Sequence, residues 1–170
     1  MAAKQNPEGS YAMNEFAFAR VLHVLGVVLW IGGVAMVTTV LLPTISGMRS
    51  AEERTDFFGR IERRFAAQAR FTTLLVGLSG FYMVHLLDAW SRFAELRFWW
   101  MHAMVLVWLI FTLVLFVAEP LVLRKKIQKT VADNAGNGVS SAQRMHWILL
   151  SLSLIAVAGA VAGSHGWMPG

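Results

Sequence analysis

Long stretches without a charge dominate the pattern of this chain. Val21–Leu42 runs 22 residues without Asp, Glu, Lys or Arg, Phe71–Leu87 runs 17, Phe98–Ala118 runs 21 and Met145–Gly170 runs 26. A hydrocarbon core about 30 Å thick takes roughly 20 helical residues, so each block with its flanks predicts a spanning helix. Period-two alternation of apolar and polar residues, the mark of a membrane barrel, is absent. The pattern predicts an all-α membrane protein. The expected architecture is a four-transmembrane-helix bundle with an amphipathic cytoplasmic helix between helices 1 and 2, with residues 1–170 expected to form a single integral membrane domain.

The expected spans cover about 15–42, 70–90, 97–123 and 143–164, after a polar N-terminal tail at 1–13. Helix 1 is expected to close at Pro43. The connection Ser91–Leu96 is short enough to make helices 2 and 3 antiparallel neighbours. Ahead of helix 2, Ser50-Ala51-Glu52-Glu53 has the form of a capping box. Phe57, Phe58, Ile61 and Phe65 then recur at helical spacing, which predicts an interfacial helix at about 51–66 lying on the headgroups. Ser140-Ser141-Ala142-Gln143 offers a second capping box for helix 4, after a loop rich in Asp, Asn and Gly at 130–140. Gly32, Gly33, Gly77, Gly80, Gly159 and Gly163 mark places where helices can approach closely. Trp90, Trp99, Trp100 and Trp167 are expected at the outer boundary as an aromatic belt, with Trp147 at the inner one.

Composition narrows the class. At 56% hydrophobic and 15% charged, the chain is too apolar for an ordinary soluble domain. It has no cysteine, which excludes disulfides, thiolate metal sites, iron–sulfur clusters and covalent c-type haem attachment. No cleavable signal peptide is expected, because the first apolar run is too long for a signal h-region.

The net charge of +5 reports topology. Arg49, Arg54, Arg60, Arg63, Arg64 and Arg70 lie in loop 1, and Arg124, Lys125, Lys126, Lys129 and Arg144 in loop 3; only Lys4, Arg20, Arg92 and Arg97 lie on the opposite side. The asymmetry predicts loops 1 and 3 in the cytoplasm and both termini outside. The same distribution excludes nucleic acid as a partner and points to the lipid bilayer, with anionic headgroups as a secondary contact.

Candidate chemistry rests on the histidines. His23, His85, His102 and His165 fall near helix ends that alternate in direction, so the topology collects them in the outer leaflet half; His146 belongs to the other side. Ionisable residues inside spanning helices are costly and mark function. Two facing imidazoles across an apolar slot would hold a b-type haem, with Arg20, Arg92 and Arg97 close enough to the same boundary to pair with its propionates. Copper is the alternative, drawing on outer-half methionines Met13, Met83, Met101, Met104 and Met168 beside those histidines. No Ser-His-Asp set, H-E-x-x-H motif or glycine-rich phosphate loop is present, so the catalytic residues are unknown. Glu119 beside Pro120 is expected to snorkel to the cytoplasmic interface.

The stretch Arg20-Val21-Leu22-His23-Val24-Leu25-Gly26-Val27-Val28-Leu29-Trp30-Ile31-Gly32-Gly33 resembles the first helix of copper-resistance D-like membrane proteins. It is also similar to that of the four-helix, haem-binding protoporphyrinogen oxidases of bacteria. His23, Gly26, Trp30 and Gly33 share one helical face at steps of three, four and three. The resemblance covers about 25 residues and extends more weakly to Trp99-Trp100-Met101-His102. It implies haem ligation by His23. The oxidases tend to follow the second histidine closely with a lysine, whereas Ala103 and Met104 follow His102 here, so a copper-resistance-like protein or stand-alone cytochrome is the closer likeness. The combined expectation is a haem b membrane cytochrome of the bacterial inner membrane. It would carry electrons between quinone and a periplasmic redox protein, alone, as a homo-oligomer or as a subunit of a complex.

Overall fold

The computed structural model describes residues 7–48, 50–123 and 136–167, and all regular structure among them is helical. Five α-helices follow in order: α1 (Pro7–Met36), α2 (Leu42–Gly47), α3 (Ala51–Leu86), α4 (Trp99–Leu113) and α5 (Gly136–Ser164). Two π-helical segments, Val37–Leu41 and Val114–Leu123, continue α1 and α4, and 3-10 turns at Trp90–Ala94 and Leu96–Phe98 join α3 to α4. Met13–Gly47, Leu96–Ala118 and Gln143–Ser164 are long and apolar enough to cross a membrane. The basic stretch Arg124, Lys125, Lys126 and Lys129, the loop at 130–135, and Lys4, Arg49 and Met168 lie outside the described residues.

The core sits where all four long helices meet. Trp30 and Val34 of α1, Val76 of α3, Val107 and Phe111 of α4, and Leu150 and Ala156 of α5 form one buried cluster. Buried hydroxyls accompany it. Thr38, Thr72 and Ser153 satisfy themselves on carbonyls one turn back, at Val34, Gln68 and Leu149, which lets small polar residues sit between closely packed helices. The outer surface is apolar: Val21, Leu25, Val28 and Leu29 of α1 are each more than half exposed. In water such a row would drive aggregation, whereas it is compatible with contact to lipid.

Pro43 does not close helix 1. The π-helical segment carries the chain across it, with the Leu42 N–H bonded to the Val37 carbonyl five residues back. In that register position 43 would bond to Thr38, and proline has no N–H to do so. The Thr38 carbonyl accepts instead from Gln143 Nε2 of α5 at 2.6 Å. The second π-helical segment repeats the device around Pro120. Its five-back partner is Leu115, whose carbonyl accepts from Arg70 Nε of α3 at 3.2 Å. A wide turn ahead of each proline, closed by a long polar side chain from a neighbouring helix, leaves no buried carbonyl orphaned at either position.

Other local expectations shift for identifiable reasons. Residues 7–13 of the expected polar tail are helical, and Pro7 stands at the first position, where its missing N–H is not needed. Ser50 does cap α3, its Oγ accepting from the Glu53 N–H at 3.4 Å. The helix it starts then runs unbroken to Leu86, because no proline interrupts 51–86. Of the stripe expected to rest on headgroups, Phe57, Ile61 and Phe65 pack on Val37, Leu41, Leu42 and Ile45, so a protein surface takes the place of the lipid there; the Phe58 side chain lies outside the described residues. Ser140–Gln143 lies inside α5, which starts at Gly136, and the Gln143 side chain donates to the Thr38 carbonyl. At the other end of α3, Asp88 adopts a positive φ of 46° and turns the chain toward α4, a conformation that Asp tolerates.

Candidate functional site: a histidine on an apolar inter-helix cavity

A cavity of about 130 Å³ opens between α1, α3, α4 and α5. Its wall includes His23, Val27, Trp30 and Ile31 of α1, Val76, Gly77, Gly80 and Phe81 of α3, Met101, Met104 and Trp108 of α4, and Ser153 and Ala156 of α5. His23 is the one ionisable side chain on that wall among the described residues.

Two glycines shape the space. A Cβ at Gly77 would fall 2.6 Å from three atoms of the Trp108 indole, and one at Gly80 would fall 3.1 Å from His23 Cε1. The missing side chains of α3 are therefore the seats of an indole and an imidazole. Trp108 is fixed there by its Nε1–H, which donates to the Thr73 carbonyl at 2.9 Å. Phe81 meets it edge-on at 5.6 Å.

His23 is fixed in a chemically informative way. Its Nδ1 lies 3.0 Å from the Val76 carbonyl and 3.2 Å from Ser79 Oγ. A carbonyl oxygen can only accept, so Nδ1 carries a proton, and in the neutral ring Nε2 then keeps its lone pair. An imidazole whose inner N–H is held by a backbone carbonyl is the arrangement that orients histidine for metal ligation. Trp30, 5% exposed on the same wall, has a buried Nε1–H without a partner.

The remaining histidines are placed differently. His102 is half-buried beside the cavity, its Nδ1 3.1 Å from the Phe98 carbonyl and its Nε2 3.0 Å from the Phe93 carbonyl. Both nitrogens lie against carbonyl oxygens and a neutral ring donates to only one of them, so the ring links α4 to the turn before it, and His102 is not part of the cavity wall. His85 is exposed near the end of α3. His165 is exposed beyond α5, with Nδ1 2.8 Å from the Val161 carbonyl. Neither lines the cavity, and among the described residues no group of three or more His, Asp or Glu could hold a metal ion.

Arg20 is exposed one turn before His23. Arg92 and Arg97 hold their guanidinium carbons 5.3 and 4.9 Å from the Phe98 ring centre, and Arg97 pairs with Glu95. Trp90 and Trp167 are exposed near the α3–α4 turn and the end of α5. Trp99 and Trp100 are not belt residues: they pack into the gaps at Gly159 and Gly163 of α5.

Sequence reasoning missed Trp108, Ser79 and Thr73. A mid-helix tryptophan was the available signal, since a buried indole N–H needs an acceptor. No protein-family model, curated protein or solved structure matches this chain.

Proposed function

We propose that this chain is a b-type haem-binding membrane protein in which His23, on the wall of the inter-helix cavity, would be a residue that holds the haem iron. The second half of α3, Phe71–Leu86, is the fourth crossing in this reading, and the site faces the outer half of a bacterial inner membrane. The observation that carries the proposal is the His23 Nδ1 contact to the Val76 carbonyl at 3.0 Å, which leaves Nε2 as an unprotonated nitrogen in an apolar setting. The donor set suits iron, because neutral imidazole Nε2 is a haem ligand and apolar walls favour a flat macrocycle.

When bound, haem would supply one-electron chemistry, serving transfer between quinol in the membrane and a periplasmic redox protein. The chain's own residues would hold and tune it. Ser79 and the Val76 carbonyl keep the imidazole in one tautomer. The apolar wall, which includes Val27 and Val157, would keep water from the bound group. Arg20, Arg92 and Arg97 are the cations available to propionates at the outer edge. His85, His102 and His165 are the other histidines near that end of the bundle and would be the sources of a further nitrogen ligand.

Met101 and Met104 line the same cavity as His23, and that observation favours copper(I) as the second reading, through imidazole and thioether donors. Purification after expression with ample haem separates the two. A Soret band that shifts on reduction and is lost in His23→Ala is the expected result. Protein that is free of haem but holds copper in a His23-dependent way establishes the second reading, and protein holding neither overturns both.

A further inference from the structure

The α1–α3 hairpin is out of step with its own hydrophobicity. Gly26 faces Val76, Gly33 faces Phe65, and the cluster of Val37, Leu41 and Ile45 takes in Phe57, Ile61 and Phe65. The charge-free block that begins in α1 continues to Met48, while that of α3 begins only at Phe71. The antiparallel register therefore sets arginines of α3 beside apolar surface of α1. A groove of about 530 Å³ results, lined by Met36, Arg60, Ile61, Arg64, Phe65 and Gln68.

We propose that this groove is a binding site for one anionic phospholipid. Arg60, Arg64 and Gln68 recur every four residues, so their donors form a column on one face of α3 with about 6 Å between steps. Arg60 is held by Asp56 at two points, Nε to Oδ1 at 3.1 Å and Nη2 to Oδ2 at 2.7 Å. A guanidinium has five N–H donors, so three remain for a ligand. The two guanidiniums take the phosphate, Gln68 reaches the ester or glycerol oxygens, and the acyl chains lie on Met36, Ile61 and Phe65. A phosphate with attached chains matches both halves of the lining, whereas free phosphate leaves the apolar half uncovered. The site is independent of the haem reading.

The test uses the full chain in nanodiscs of phosphatidylglycerol or phosphatidylcholine at equal ionic strength, with thermal unfolding and native mass spectrometry as readouts. The expected result is a midpoint several degrees higher in phosphatidylglycerol, with one such lipid retained per chain. Arg60→Gln with Arg64→Gln should abolish the difference and leave the midpoint in phosphatidylcholine unchanged. Both side chains are exposed, so the variant keeps its core, and Arg64→Gln alone should weaken lipid retention at least threefold. Equal midpoints in the two lipids, a preference that survives the double variant, or a midpoint shift reproduced by inorganic phosphate alone each overturn the proposal.

Discussion

Gln143 Nε2 donates to the Thr38 carbonyl at 2.6 Å, joining the start of the last long helix to the π-helical turn that carries the first one past Pro43. The bond replaces the backbone donor that proline lacks, so the two residues form a unit with Pro43. Gln143→Leu strands a buried carbonyl and should cost about 1–3 kcal/mol. In a Pro43→Ala background the restored N–H can serve that carbonyl, and the same substitution should cost much less. Thermal unfolding of the four proteins in detergent measures the coupling; equal costs in both backgrounds would show that the side chain does not stand in for the backbone.

The same logic applies at Pro120. Arg70→Leu removes the donor to Leu115 and should destabilise by about 1–3 kcal/mol, with part of the loss recovered on adding Pro120→Ala. Recovery of nothing would argue that Arg70 acts through its other contacts.

Gly77→Ala places a methyl 2.6 Å from the Trp108 indole, whose Nε1–H is tied to Thr73. The ring cannot retreat without breaking that bond, so overpacking should cost about 1–3 kcal/mol. Gly32→Ala is the matched control, because nothing lies within 4 Å of its added Cβ; it should raise stability by about 0.4–1 kcal/mol through the unfolded chain. Unfolding midpoints of the two variants should move in opposite directions.

Thr73 Oγ1 is buried without a partner, while Thr38 Oγ1 donates to the Val34 carbonyl at 2.7 Å. Replacing an unsatisfied buried hydroxyl by a methyl of the same shape is close to neutral or stabilising, whereas removing a satisfied one costs about 0.5–1.5 kcal/mol. Thr73→Val should therefore match or exceed the native midpoint, and Thr38→Val should fall below it. The reverse order would mean that Thr73 has a donor role in the folded protein.

The apolar blocks, the Ser50 cap and the glycines at positions of close approach were legible in the sequence because each depends on residues within a turn or two. Pro43 was legible as a break and Pro120 only as a residue inside the third span; how each is accommodated was not legible, since the donors lie 105 and 45 residues from the carbonyls they serve. The phenylalanine stripe of α3 was read correctly as an apolar face and assigned the wrong cover, because spacing identifies a buried face without saying what buries it.

The histidines divide along the same line. Position in the sequence sets the depth of a residue along a helix, at about 1.5 Å per residue, and on that basis His23, His85, His102 and His165 lie near one end of the bundle. Which way each side chain faces depends on how every helix is rotated against its neighbours, and that is settled by packing. Trp108 seated over Gly77, His23 over Gly80 and two prolines absorbed in wide turns fix those rotations. The fold sets His23 on the cavity wall with its Nδ1–H held, and directs the nitrogens of His102 at backbone carbonyls.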